Sequence, residues 1–229
     1  MKTIGILGGM SAASTQLYYK RLCDQTRARL GGLHSPELLI RSLDFALIED
    51  LQARGDWQTA GALLNREALA LQAGGAELLI LATNTMHKLA AQLTENLTIP
   101  FLHIAEATAD AILDAGLKRP GLMATAYTME QDFYTGQLRA AGLHPVIPGA
   151  QDRAEIHRII YDELCNDITT DSSRATYEAI AARLSSAGAD CLILGCTEVG
   201  MLLDQSNVSI PVFDTTLIHC DSVLDLALT

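Results

Sequence analysis

Two polar tripeptides stand where chemistry is most readily delivered. Thr83-Asn84-Thr85 and Cys196-Thr197-Glu198 each follow an apolar run of strand length, Glu77–Ala82 and Asp190–Leu194, and each leads into a segment with helical spacing. Small hydrogen-bonding side chains beside the unpaired N–H groups of a helix start make a suitable seat for a carboxylate. A thiol at such a position can serve as a base, because a helix start lowers its pKa, whereas Glu198 two residues on opposes that unless it accepts a substrate ammonium or the thiol proton. Thr83 is a weaker reagent. An alkyl hydroxyl should titrate like water, far above the value of about 8.5 for a thiol, a handicap of about 10 kcal/mol in forming the anion. Some partner must relay the proton on that side, and His87 or a bound water is the candidate.

The two tripeptides are related by internal repetition. Leu71–Thr85 lies over Leu184–Glu198 at an offset of 113 residues with six identities and no gap. Asn96-Leu-Thr-Ile-Pro100 matches Asn207-Val-Ser-Ile-Pro211 at an offset of 111, and Gly5-Ile6-Leu7 resembles Gly121-Leu122-Met123 at 116. The chain therefore reads as two similar halves, each with a strand whose carboxyl end, where open α/β sheets bind ligands, carries one tripeptide. If the halves are related by a pseudo-twofold axis, positions 83 and 196 oppose each other across a cleft. That arrangement removes a proton from one face of a carbon and returns it to the other, which is stereochemical inversion.

The elements that must position these groups follow from periodicity. Strands are expected at Thr3–Leu7, Leu38–Leu43, Glu77–Ala82, Phe101–Ile104, Pro120–Ala124, Asp190–Leu194 and Pro211–Phe213. Helical spacing covers Ser14–Leu30, Gln58–Ala73, Met129–Ala141 and Ser172–Ala187, and Thr128-Met129-Glu130-Gln131 has the capping-box pattern that starts a helix. Alternation of this kind predicts an α/β fold with parallel sheets covered by helices, divided into an N-terminal domain of residues 1–98 and 214–229 and a C-terminal domain of residues 99–213.

Bulk properties exclude several functions. Sixteen Lys and Arg against twenty-seven Asp and Glu give a net charge of −11, with no basic cluster, which argues against nucleic acid and anionic membrane partners. No apolar stretch approaches the roughly 20 residues that span a bilayer, and no export signal is visible, so a cytoplasmic protein is expected. Five cysteines without C-x-x-C spacing suggest neither a disulfide framework nor a thiolate metal site. Cys23, Cys165, Cys191 and Cys220 read as small buried hydrophobes. Thr83 has a structural alternative as a helix cap, and His87 one as a satisfied buried histidine. Gly5-Ile-Leu-Gly-Gly-Met10 does not fit G-x-G-x-x-G, so a dinucleotide is not expected.

Gly5-Ile-Leu-Gly-Gly-Met10, Thr83-Asn84-Thr85-Met86-His87 and Gly195-Cys196-Thr197-Glu198 together resemble the aspartate/glutamate racemase family, over essentially the whole chain. The resemblance implies two pseudosymmetric Rossmann-like domains with the active site in the interdomain cleft, a two-base mechanism without PLP or metal, an acidic amino acid as substrate, and a homodimer. It places Cys196 and Thr83 at the two catalytic positions, with Met10, Gln52, Asn84, Thr85, Thr197 and Glu198 around the substrate. Thr83 replaces a cysteine usual in the family. With Gly32-Leu33-His34-Ser35 and Tyr127–Tyr134, this makes the chain most similar to the L-aspartate/glutamate-specific branch. An Arg and a Lys found in many relatives, near Leu47-Ile48-Glu49 and Leu164-Cys165-Asn166, are missing. Gln52, Arg54 and backbone amides are left to hold the distal carboxylate. The alternatives are a one-cysteine lyase or isomerase of this fold, a non-catalytic amino-acid-binding protein, and a structural protein that inherited the repeat.

Overall fold

In the computed structural model, which describes residues 1–229, six of the seven expected strands form two separate three-stranded parallel sheets. The first has the order β2 (Leu38–Ser42), β1 (Ile4–Gly8), β3 (Leu78–Leu81). The second has the order β4 (Pro120–Ala124), β5 (Cys191–Gly195), β6 (Val212–Asp214). Helices α1 (Ala12–Leu30), α2 (Phe45–Ala53), α3 (Trp57–Ala73) and α4 (Ala90–Leu93) accompany the first sheet. The chain continues through α5 (Ile104–Asp114), α6 (Ala126–Glu130), α7 (Asp132–Ala140), α8 (Ala150–Asp162), α9 (Asp171–Ser186) and α10 (Thr215–Leu228).

The repeat holds at the level of register. Gly5 pairs with Leu39 on one side and Leu79 on the other, and Leu79 pairs onward with Phe101. Gly121 pairs with Val146 and Leu192, and Leu192 pairs onward with Val212. The partners 5/121, 79/192 and 101/212 are those that the three sequence offsets relate. Capping repeats as well. Glu77 Oε2 accepts the Thr3 N–H at 2.8 Å, and the equivalent Asp190 accepts from Lys118 and Arg119 at 2.8 and 2.9 Å.

Two compact units result, Met1–Ile104 with His219–Thr229, and Ala105–Ile218. The crossings thus fall five or six residues later than the boundaries expected at 98/99 and 213/214. Residues 99–104 stay with the first unit because Phe101 pairs with β3, and Asp214 stays with the second because β6 pairs with β5. Phe101–Ile104 contributes a single bridge rather than a strand, since the Ile104 N–H is taken by a histidine ring and the chain turns into α5.

Several helices start on a capping side chain. Ser11, Asp44, Asp56 and Thr170 cap α1, α2, α3 and α9 by accepting backbone N–H groups. The capping-box expectation at Thr128 is corrected. Thr125 caps α6 by accepting the Thr128 N–H, Thr128 lies inside that helix, and extended backbone at Gln131 separates α6 from α7, where one helix was expected.

In the first unit the sheet is covered on both faces. Ile4, Ile6, Leu78 and Ile80 pack against Tyr18 and Leu22 of α1 and Val223 and Leu224 of α10. Leu7, Leu79 and Leu81 pack against Ile48 and Leu51 of α2 and Leu64 and Ala68 of α3. This alternation is the two-residue period of a strand buried on both faces. In the second unit α8 and α9 pack on β4, burying Ile156, Ile159, Ile160, Tyr177 and Ile180. No helix is long and apolar enough to cross a membrane.

Candidate active site

The loop after β1 shows what its glycines are for. Gly9 has φ +85°, and a Cβ there would lie 2.2 Å from the Leu43 backbone, while its N–H donates to Thr15 Oγ1 at 2.7 Å. Glycine is needed for the close approach of this loop to Leu43. Met10 comes next, buried in the same apolar cluster as Leu7, Ile48 and Met86.

At the end of β3 the Thr83 N–H donates to Leu81 O at 2.9 Å, and the chain enters a 3-10 turn, Thr85–Leu89. Thr83, Asn84 and Thr85 are all buried. Asn84, not Thr83, occupies the cap position of that turn, and it makes no side-chain cap bond. Capping is therefore not the role of Thr83. Gln52, buried on α2, places its amide nitrogen 2.8 Å from Met86 Sδ, so it adjoins the residue that succeeds the Thr83 tripeptide, and Met10 shares the apolar cluster of that residue. Arg54 pairs with Asp50 at 2.6 Å on the exposed surface.

His87 lies beneath this turn, 2% exposed. One ring nitrogen, Nδ1, is 2.7 Å from Thr83 O, and the other, Nε2, accepts the Ile104 N–H at 3.2 Å. Its ring sits 4.6 Å from His103 and 5.8 Å from His219. His219 Nε2 is 3.0 Å from Leu102 O and its Nδ1 is 2.8 Å from the Tyr18 hydroxyl. Burial pushes all three imidazoles down, His103 and His219 to about 4 and His87 well below its usual value, with the neighbouring imidazoles adding to the effect on His87.

The end of β5 is built differently. Gly195 is required there, because a Cβ would stand 2.9 Å from Ala124 Cβ and Leu122 Cδ1. The half-buried Cys196 then donates through Sγ to Glu198 Oε2 at 3.0 Å, and Thr197 Oγ1 donates to the same oxygen at 2.5 Å. Glu198 is 3% exposed. Burial, the Glu198 charge and the bond to it push the Cys196 thiol well up. That reverses the helix-start expectation. The chain runs on into a three-residue 3-10 turn, Val199–Met201, too short to supply a helix field, and a carboxylate is in contact with the thiol. Cys165 belongs to the same neighbourhood, held up at about 12 by burial and by the Glu198 charge. Sequence reasoning treats it as a small buried hydrophobe. Its place, in the stretch where relatives carry a Lys, is the signal that could have flagged it. No group of three or more His, Cys, Asp and Glu is arranged to hold a metal ion.

Residues 7–223 match the family model described as Asp/Glu/Hydantoin racemase. The chain belongs to the Asp/Glu/hydantoin racemase family. A Yersinia pestis protein proposed as an Asp/Glu racemase superimposes on this racemase with a TM-score of 0.94, at 45% identity over 100% of both chains. An aspartate racemase homologue from Pyrococcus horikoshii OT3 gives 0.87 at 34% identity, again over 100% of both chains. Among curated proteins, the broad specificity amino-acid racemase RacX of Bacillus subtilis (strain 168) is 24% identical over 216 residues, 93% of this chain and 92% of RacX. The racemase thus carries one strand end with a buried hydroxyl and a locked histidine beneath it, and another with a thiol hydrogen-bonded to a carboxylate.

Proposed function

We propose that this racemase inverts acidic amino acids, L-aspartate and L-glutamate, by two-base chemistry without PLP. The observation that carries the reading is the Cys196–Glu198 hydrogen bond. In the resting state Cys196 is a thiol, and passing its proton to Glu198 leaves a thiolate, the form able to take an α-proton. The electron pair of the Cα–H bond then stays on carbon, delocalised into the substrate carboxyl group. Reprotonation from the Thr83 side gives the other enantiomer. Thr83 Oγ gives its proton to carbon and in the same step takes one through a bound water from solvent acid, so that neither alkoxide nor hydroxide is left free, and Glu198 gives its proton back to solvent base to close the cycle. Thr197, which shares the Glu198 oxygen, holds that carboxylate toward Cys196, while Met10, Gln52, Asn84 and Thr85 shape the substrate pocket. A homodimer in the cytoplasm is part of the same proposal.

A second reading, a wider range that includes neutral amino acids, is favoured by the charges around Cys196. Glu198, an acidic group, adjoins it, and RacX is named for broad specificity. One experiment serves both. Aspartate, glutamate, alanine and serine are incubated in heavy water and followed by proton NMR and chiral chromatography. Loss of the α-proton from L-aspartate or L-glutamate with appearance of the D-form is expected. Comparable turnover of alanine and serine moves the conclusion to the second reading, and no exchange with any amino acid overturns both.

A further inference from the structure

We propose that His87 is a positioning residue for the Thr83 end, locked as the Nδ1–H tautomer and carrying no proton in the reaction. The inference rests on the reading of Thr83 as the second acid/base group, but its geometry stands alone. Thr83 O can only accept, so the nitrogen 2.7 Å from it must hold the hydrogen. The Ile104 N–H can only donate, so Nε2 must present its lone pair at 3.2 Å. An imidazolium would set N–H against N–H there. The neighbouring imidazoles have hydrogen-bond partners of their own. His103 is hydrogen-bonded to the His87 backbone, and His219 is committed to Leu102 O and the Tyr18 hydroxyl. Phe101 closes a further side, with its ring centroid 5.6 Å away.

The lock acts on the reacting residue directly. The Thr83 peptide is held on one side through its N–H to Leu81 O and on the other through its carbonyl to His87, which fixes the backbone torsions from which the hydroxyl projects. The same ring ties this strand end to the first residue of α5. Small misplacements of a reacting group are costly, a displacement of about 1 Å reducing the rate by about 100-fold.

Long-range proton–nitrogen NMR correlation of the histidine side chains, with the His87 signals assigned by their loss in a variant, tests the lock without any reference to activity. A fixed Nδ1–H pattern between pH 6 and 9 is expected. A titration in that range, or the Nε2–H form, would overturn the proposal. The kinetic test compares His87→Asn, whose amide can donate to Thr83 O but cannot shuttle a proton, with His87→Ala. The Asn variant should keep inversion within about 10-fold, and the Ala variant should lose it by about 100-fold while α-proton exchange of L-substrate, which reports the Cys196 side, falls far less. A folded Asn variant as inactive as the Ala variant would show that the ring moves a proton. If Thr83 is not the second acid/base group, Thr83→Ala leaves the ratio of exchange to inversion unchanged, while the NMR result for His87 stands or falls separately.

Discussion

Acid should unfold the first unit through its histidines, and the size of the effect follows from their burial. His103 and His219 titrate at about 4 in the folded protein because burial disfavours the imidazolium, against 6.5 when exposed. The unfolded chain therefore binds more protons below pH 6.5, and stability is lost as pH falls from there toward 4. Between pH 8 and 5 each of these two groups removes about 2 kcal/mol, about 4 kcal/mol together, and His87 acts in the same direction. A loss of that size is a large share of the stability of an ordinary domain. Guanidinium unfolding at the two pH values measures it, with Trp57, the single tryptophan, as a fluorescence reporter inside the same unit. Paired carboxylates also weaken in acid, so the decisive comparison is with His219→Gln. That amide can still donate to Leu102 O and accept from Tyr18, and the variant should lose about 2 kcal/mol of the pH dependence. A variant with the wild-type pH dependence would refute the reasoning.

Cys196→Ala should abolish both racemisation and α-proton exchange of L-substrate; retention of more than a few per cent of exchange would remove Cys196 from the mechanism. Wild-type enzyme should exchange the α-proton of L-substrate faster than it inverts it, Thr83→Ala should widen that gap and Thr83→Cys should narrow it, because a thiol removes most of the handicap of about 10 kcal/mol. Equal rates in all three would place the second proton donor elsewhere. Glu198→Gln should lower the Cys196 pKa by removing the adjacent charge, so iodoacetamide should label Cys196 faster at neutral pH even as racemisation falls. Unchanged labelling would mean that burial alone sets the thiol. Activity should survive exhaustive chelation and carbonyl reagents, and its loss with recovery on adding a metal would contradict the cofactor-free mechanism.

Much of the fold was legible because strands buried on both faces leave unmistakable apolar runs. β4 lies at Pro120–Ala124 as read from the sequence, and the repeat offsets match the strand register pair by pair. Helices α2 and α8 escaped, since neither is bounded by a repeat, and α8 mixes its three buried isoleucines with charged residues. The break at Gln131 escaped because Thr125 and Thr128 are both plausible caps, and it is Thr125 that accepts the backbone N–H. At the site, the Cys196–Glu198 contact was one of two roles open to Glu198 from adjacency in sequence. The His87 lock had no local signal, because its second partner lies 17 residues further on. The Arg54–Asp50 pair was readable, being an i,i+4 pair at a helix end.

The return of the chain to the first unit has a consequence for how the protein is made. Val223, Leu224 and Ala227 of α10 cover Ile4 and Ile6, the Lys2 N–H donates to Ala227 O at 2.8 Å, and Arg21 and Arg29 of α1 reach Asp221 and Asp225. The second unit, by contrast, is one unbroken stretch from Ala105 to Ile218. During synthesis residues 1–104 must wait for residues 219–229, and the half that begins later is able to close earlier. Until α10 emerges from the ribosome, one face of β1 and β3 is an apolar surface without its cover, the kind of surface that chaperones bind and that aggregates when it is left exposed.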